Sequence, residues 1–177
     1  MARRVALLGS INVGGNRVAM ADLRASFERA GFAGVSTVAA SGNVIFDADR
    51  TSGGEAIIAA LLQNDFGIDT FAAVRSRDEL EDALAENPFA EKGEDKLVHT
   101  MFLDGQPSAD AFERLKADHE DRGPEKLAPG TKALHIDYVD GVGSSKLTKQ
   151  FIEKRLGCRG TARNVTSIRR IMEKMEK

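Results

Sequence analysis

The segment Gly9-Ser10-Ile11-Asn12-Val13-Gly14-Gly15-Asn16 has the composition of a loop that can close on a ligand. Its glycines allow close backbone approach, and the amides from Asn12 through Gly14 and Gly15 to Asn16 can form an anion-binding nest. Gly9 and Gly14 have P-loop spacing. Gly15 and Asn16, however, stand where Lys and Ser or Thr must reach phosphate and magnesium, so a P-loop nucleotidase is excluded. A loop that merely turns away from a strand needs the same glycines, and the sequence leaves both readings open.

A second group of residues could supply charge. Ser145-Lys146-Leu147-Thr148-Lys149 opens a predicted helix, on which Lys146, Lys149 and Glu153 share a face opposite Leu147, Phe151 and Ile152. Two ammonium groups beside the positive end of a helix suit a phosphate. An ordinary amphipathic helix capped by Ser144 or Ser145 has the same pattern. Arg163 could clamp a carboxylate or phosphate, or pair with an acidic surface residue, while Asn164 suits the N-cap of a last helix. Ser41 and Asn43 flank Gly42 in a hairpin-like turn and add neutral hydrogen-bonding groups.

Acid–base and metal chemistry find little support. His99 and His135 sit in strand-like segments and His119 ends a helix, so no H-x-x-x-H spacing predicts a metal site. His135 and Asp137, two apart on a strand, could form a dyad, but no neighbouring nucleophile accompanies them. Cys158 is the single cysteine: it precludes an internal disulfide and reads as a loop thiol whose pKa nearby cations could lower. No metal and no cofactor are expected.

The elements that must position these residues follow from periodicity. Val5–Leu8 reads as a strand. Met20, Leu23, Phe27 and Ala30 form a helical stripe closed by Gly31, and Val35–Ala39 and Val44–Phe46 form a hairpin. A helix opening in Thr51–Gly54 and closing at Gly67, then a strand over Thr70–Val74, complete a βαββαβ order, the order of a ferredoxin-like unit. Ser76 and Glu79 have capping-box spacing before a helix that Asn87-Pro88 ends. The chain restarts with a strand over Leu97–Leu103, a helix over Ser108–His119 and a strand over Lys132–Tyr138. It ends in helices over Ser144–Leu156 and Asn164–Lys177. The expected fold is α+β, with a ferredoxin-like half over 1–90 and a related α+β half over 91–177, packed as one unit. No residue-level repeat links them.

Composition sets the class. With 177 residues, 42% apolar and 29% charged, the chain can bury a core and is neither disordered nor fibrous. No apolar run is long enough to span a bilayer and no targeting segment is read, so with one cysteine a cytoplasmic protein is expected. Residues 144–177 hold ten Lys or Arg against three Glu, whereas the whole chain has 25 against 27, so a net +7 tail follows a net −9 body. Such asymmetry points to an anionic partner or to self-complementation. Nucleic acid is disfavoured, since the chain has no Trp and one Tyr, and Phe151 alone could stack within the basic tail.

Six ordered segments, I-N-V-G-G-N at Ile11–Asn16, M-A-D-L-R at Met20–Arg24, S-G-N-V-I-F at Ser41–Phe46, N-P-F at Asn87–Phe89, S-K-L-T at Ser145–Thr148 and T-A-R-N at Thr161–Asn164, resemble the bacterial family called domain of unknown function 1697. The resemblance implies an α+β fold of two ferredoxin-like subdomains, a cytoplasmic location and no established biochemical role. The chain departs from the family pattern at Gly9-Ser10, where Arg-Gly is usual, and at Val165, where an aromatic commonly follows. The leading functional expectation is a non-catalytic or weakly catalytic module that binds a phosphorylated or otherwise anionic ligand. Two other classes stay open: an interaction or structural module that self-associates, and an enzyme acting on a small phosphorylated metabolite.

Overall fold

Strand and helix signals alternate along the chain because each sheet must bury a face that only a helix stripe can cover. A computed structural model describes residues 2–9, 11, 18–38, 42–48 and 54–176. The first half consists of β1 (Ala2–Leu8), α1 (Met20–Arg29), β2 (Ala33–Val38), β3 (Asn43–Ala48), α2 (Gly54–Phe66) and β4 (Ala72–Ser76), followed by α3 (Arg77–Glu86). The second repeats that order as β5 (Val98–Leu103), α4 (Ala109–His119), β6 (Lys126–Gly130), β7 (Ala133–Asp137), α5 (Lys149–Leu156) and β8 (Gly160–Asn164), followed by α6 (Val165–Met175). The sheet orders, β2-β3-β1-β4 and β6-β7-β5-β8, are the same ferredoxin-like arrangement, and every pairing is antiparallel. The protein is therefore an α+β fold of two similar subdomains.

The chain divides into residues 1–80 with 170–177, and residues 81–169. In the first unit, Leu23 and Phe27 of α1 and Ile58 and Leu62 of α2 cover Ala6, Leu8, Val44 and Phe46. Gly31, with φ at +99°, turns the chain out of α1 so that Phe32 meets Phe27 and Phe46, at ring distances of 5.2 and 4.9 Å. In the second, Phe112 and Leu115 of α4 and Ile152 and Leu156 of α5 cover Met101, Leu103, Leu134 and Ile136. Residues on the opposite sheet faces are buried as well, Val5, Leu7 and Ile45 in the first unit and Val98 and Phe102 in the second. None of the described helices is long and apolar enough to cross a membrane.

Three expectations change. Two strands were missing from the sequence reading, β6 and β8, both at sheet edges. Edge position lets β6 carry Pro129, and β8 starts at Gly160, so neither shows a strand pattern. The helix expected from Ser144 starts at Lys149, because Thr148 rather than a serine caps it, its hydroxyl accepting from the Phe151 amide at 3.2 Å.

Alignment of the two orders supplies a residue correspondence. Strand registers pair Val5 with Ile45 and Arg75, and Thr100 with His135 and Arg163. Val5 thus corresponds to Thr100, Ile45 to His135 and Arg75 to Arg163, each arginine lying one residue before the cap of the following helix. Continued along α3 and α6, it matches Glu86 with Lys174. Lys174 donates to the Thr37 carbonyl at 2.6 Å in the first unit, and Glu86 binds the β6–β7 turn in the second.

Candidate functional site

The expected ligand residues fall into three groups. Asn12, Gly14, Gly15, Asn16 and Ser41 lie outside the described residues. Asn43 and Asn164 serve the fold. Asn43 is fully buried and its amide donates to the Val38 carbonyl at 3.0 Å, closing the β2–β3 hairpin, while Asn164 caps α6 by accepting from the Ser167 amide at 2.8 Å. The third group surrounds the start of α5.

Within that group the cations separate. Lys146 lies in a turn ahead of α5, where Ser145 Oγ accepts from the Leu147 amide at 3.0 Å. Its carbonyl accepts from Arg122 at 3.3 Å, on the side where Arg122 and Arg155 stack on Phe151 at 4.1 and 3.5 Å. Lys146 and Lys149 therefore do not share the helical face expected of them. Lys149, the first residue of α5, instead senses Arg159 and Arg163. Partial loss of hydration lowers its pKa first, repulsion from those guanidiniums lowers it further, and Glu153 opposes both.

The chain brings these cations together through one tight reversal. Gly157 takes φ of +71° and ends α5 with a bond from its amide to the Glu153 carbonyl at 2.9 Å. Arg159 then donates its amide to Asp104 Oδ1 at 2.9 Å, accepts from the Asp104 amide at 2.9 Å and leads into β8, where the Gly160 amide donates to Glu153 Oε2 at 2.8 Å. Arg163 is only 6% exposed and donates to Thr161 Oγ1 at 2.6 Å and the Ala162 carbonyl at 2.9 Å. Burial pushes its pKa down to about 10. Arg75, its counterpart in the first unit, is also buried, and burial lowers its pKa too. There, however, carboxylates answer the charge: Glu55 lies 3.6 Å away and Glu79 adds to it. Sequence reading missed Arg159. Its place after the helix-ending Gly157 was the available signal.

A buried polar chain crosses the same sheet. His135 and Thr100 are fully buried, and His135 Nδ1 lies 2.9 Å from Thr100 Oγ1 while Nε2 lies 2.9 Å from Glu86 Oε2. An ionised carboxylate only accepts, which places the proton on Nε2 and leaves Nδ1 to accept from Thr100. Thr100 in turn accepts from the Asn87 amide at 3.4 Å. Burial holds the imidazole below its ordinary pKa against the pull of Glu86. Partial burial pushes the Glu86 carboxyl up, but bonds from His135 and Thr131 outweigh it and the group titrates below its ordinary value.

His135 thus partners Glu86 and Thr100, not Asp137, whose Oδ1 accepts from the Val139 amide at 3.0 Å. No dyad of His135 and Asp137 forms. Sequence reading missed Glu86, which nothing local marks. Burial, then Asp104, raise the Cys158 pKa rather than lowering it. Among the described residues no group of three or more His, Cys, Asp or Glu could hold a metal.

The chain belongs to the family described as protein of unknown function (DUF1697), whose model matches residues 1–135. It is also similar to a solved structure, that of conserved bacterial protein SP0830 from Streptococcus pneumoniae. The TM-score is 0.73 at 20% identity, over 100% of this chain and 99% of that one, a likeness of fold. No curated protein matches it significantly.

Proposed function

For this member of the family we propose a cytoplasmic binding module for a phosphorylated or otherwise anionic small ligand, held in the second unit by Lys149, Arg159 and Arg163. One comparison within the molecule carries the reading. Glu55 and Glu79 act on the buried arginine of β4, whereas near its counterpart in β8 the cations Lys149 and Arg159 gather, with Glu153 and the Asp104 carboxylate beside them. Like charges gathered at a partly desolvated site repel, and an anion relieves that repulsion through charge-assisted hydrogen bonds. The first turn of α5 adds its dipole. Lys146, whose backbone is held toward Phe151, is left out of the ligand set. The lone cysteine supports the cytoplasmic location.

Thermal denaturation with inorganic phosphate, pyrophosphate, nucleotides, sugar phosphates and short RNA tests this. A ligand at ten times its Kd stabilises by about 1.4 kcal/mol, which raises Tm by roughly 3–6 °C in a chain of this size. The rise is expected to shrink with added salt and to vanish in Lys149→Ala/Arg159→Ala. Failure of every anion to raise Tm, or an undiminished rise in the double variant, overturns the reading.

A further inference from the structure

Near the β6–β7 turn of the second unit lies a pocket of about 300 Å³, and its lining carries charge of one sign. Phe112, Pro107 and Pro129 form apolar walls, Glu86 and Glu113 are the ionisable groups, and no Lys, Arg or His lines it. Glu86 is also the last residue of α3, where the negative end of the helix dipole adds to its charge.

What sets this pocket apart from an acidic surface is how Glu86 is held. Its carboxylate accepts from the Thr131 hydroxyl at 2.8 Å, from the Thr131 amide at 3.1 Å and from His135 at 2.9 Å. The Thr131 amide is shared with the second oxygen, also at 3.1 Å, so both oxygens are held and the carboxylate is fixed in one orientation, on a side chain that is 34% exposed. Behind it stands the buried chain through His135 and Thr100 to Asn87. The first unit shows that the fold needs none of this, because Ile45 and Val5 fill the places of His135 and Thr100, and Lys174 that of Glu86. Exchanging a buried aliphatic pair for an imidazole and a hydroxyl is unfavourable unless every polar atom is paired. Here the pairing ends in a fixed acceptor at a pocket mouth, the arrangement by which supporting groups orient a ligand-binding side chain.

We infer that this pocket binds a small organic cation, a protonated amine or guanidinium on a compact apolar body. The charged head donates to Glu86 with Glu113 as the second counter-charge, and the body rests against Phe112 and Pro107. This assignment is independent of the anion site, whose ligand carries the opposite charge.

The Thr131 amide reports on the site directly, since it donates to Glu86. Titration of the full-length ¹⁵N-labelled protein with benzylammonium should shift the Thr131 and Gly130 amides saturably in the millimolar range, and an equal concentration of benzyl alcohol should not. Glu86→Gln should weaken binding about tenfold or more, the loss of one charge-assisted contact. Glu113→Gln, at an exposed helix position, should weaken it about threefold and keeps the test decisive if Glu86→Gln disturbs the turn. Equal binding of the alcohol, no saturable shift by 20 mM amine as roughly the weakest useful affinity, or unchanged binding in Glu113→Gln would each overturn the proposal.

Discussion

Thr100 and His135 can be converted to the aliphatic pair that the first unit uses at the same place, and the energetics of that conversion test the correspondence between the units. Thr100→Val alone removes the donor to His135 Nδ1, leaving an acceptor in a fully buried position, and takes the acceptor from the Asn87 side-chain amide. An unsatisfied buried polar atom costs about 1–3 kcal/mol. His135→Ile alone strips the Thr100 hydroxyl of its acceptor and Glu86 of one donor, at a similar cost of about 1–3 kcal/mol. Were the effects independent, the double variant would lose about 2–6 kcal/mol. Removing both partners in favour of apolar groups of matching shape is instead close to neutral. Val5 and Ile45, both fully buried and paired in register, show that this geometry accepts the aliphatic pair. What the double variant still loses is the acceptor of the Asn87 side-chain amide and one donor to Glu86, so its expected loss is about 1–3 kcal/mol, with a coupling of about 1–3 kcal/mol. In Tm each single variant falls by roughly 2–12 °C, and the double variant falls less than the sum. Urea unfolding followed by circular dichroism measures all four corners of the cycle. Additive losses would refute both the proton assignment in the chain and the equivalence of the two sheets.

Acid sensitivity follows from the same groups. Burial lowers the pKa of His135 and of His99, so the unfolded chain binds protons first; the stability they contribute is full above about pH 6.5 and is lost as pH falls toward the depressed folded values. Each histidine contributes at most about 1.4 kcal/mol per pH unit, and an unchanged urea midpoint between about pH 7 and 5.5 would contradict this. Glu86, also lowered, adds stability above the ordinary carboxylate range that is lost only on further acidification. At the start of α3, Ser76 Oγ accepts from the Glu79 amide at 3.1 Å while Glu79 accepts from the Ser76 amide at 2.9 Å. Ser76→Ala should cost about 1 kcal/mol, or roughly 2–4 °C in Tm, and an unaltered melting curve would show that the box contributes nothing.

The sequence reveals those parts of the fold that are fixed by local chemistry. The stripe of Leu23 and Phe27, the positive φ at Gly31 and the box of Ser76 and Glu79 are each decided within a few residues, and each stands in the structure as read. The edge strands are decided by pairing with a distant neighbour, so Pro129 and Gly160 conceal them. The start of α5 turns on which of several hydroxyls finds an amide. Ser145 and Thr148 both do, and only the Thr148 bond opens a helix. The site was legible in part: Lys149 and Arg163 meet, but Lys146 and Asn164 have other work, and Arg159 and Glu86 enter through registers that no local pattern encodes.

The duplicated fold is what separates function from architecture here. Arg75-Ser76 and Arg163-Asn164 show that a buried arginine before a capped helix belongs to the fold, since both units keep it at the same place in the fourth strand. Burial of Arg163 is therefore no argument for a ligand in itself; its surroundings are. Positions where the units part company carry the argument instead. Cations gather near one arginine and not only carboxylates as near the other, and an aliphatic pair in one sheet gives way to a hydroxyl and an imidazole in the other. Both changes put charge or polarity where the common fold is satisfied without it, and both fall in the second unit. Destabilising chemistry that the architecture does not require is the observation on which both binding proposals rest.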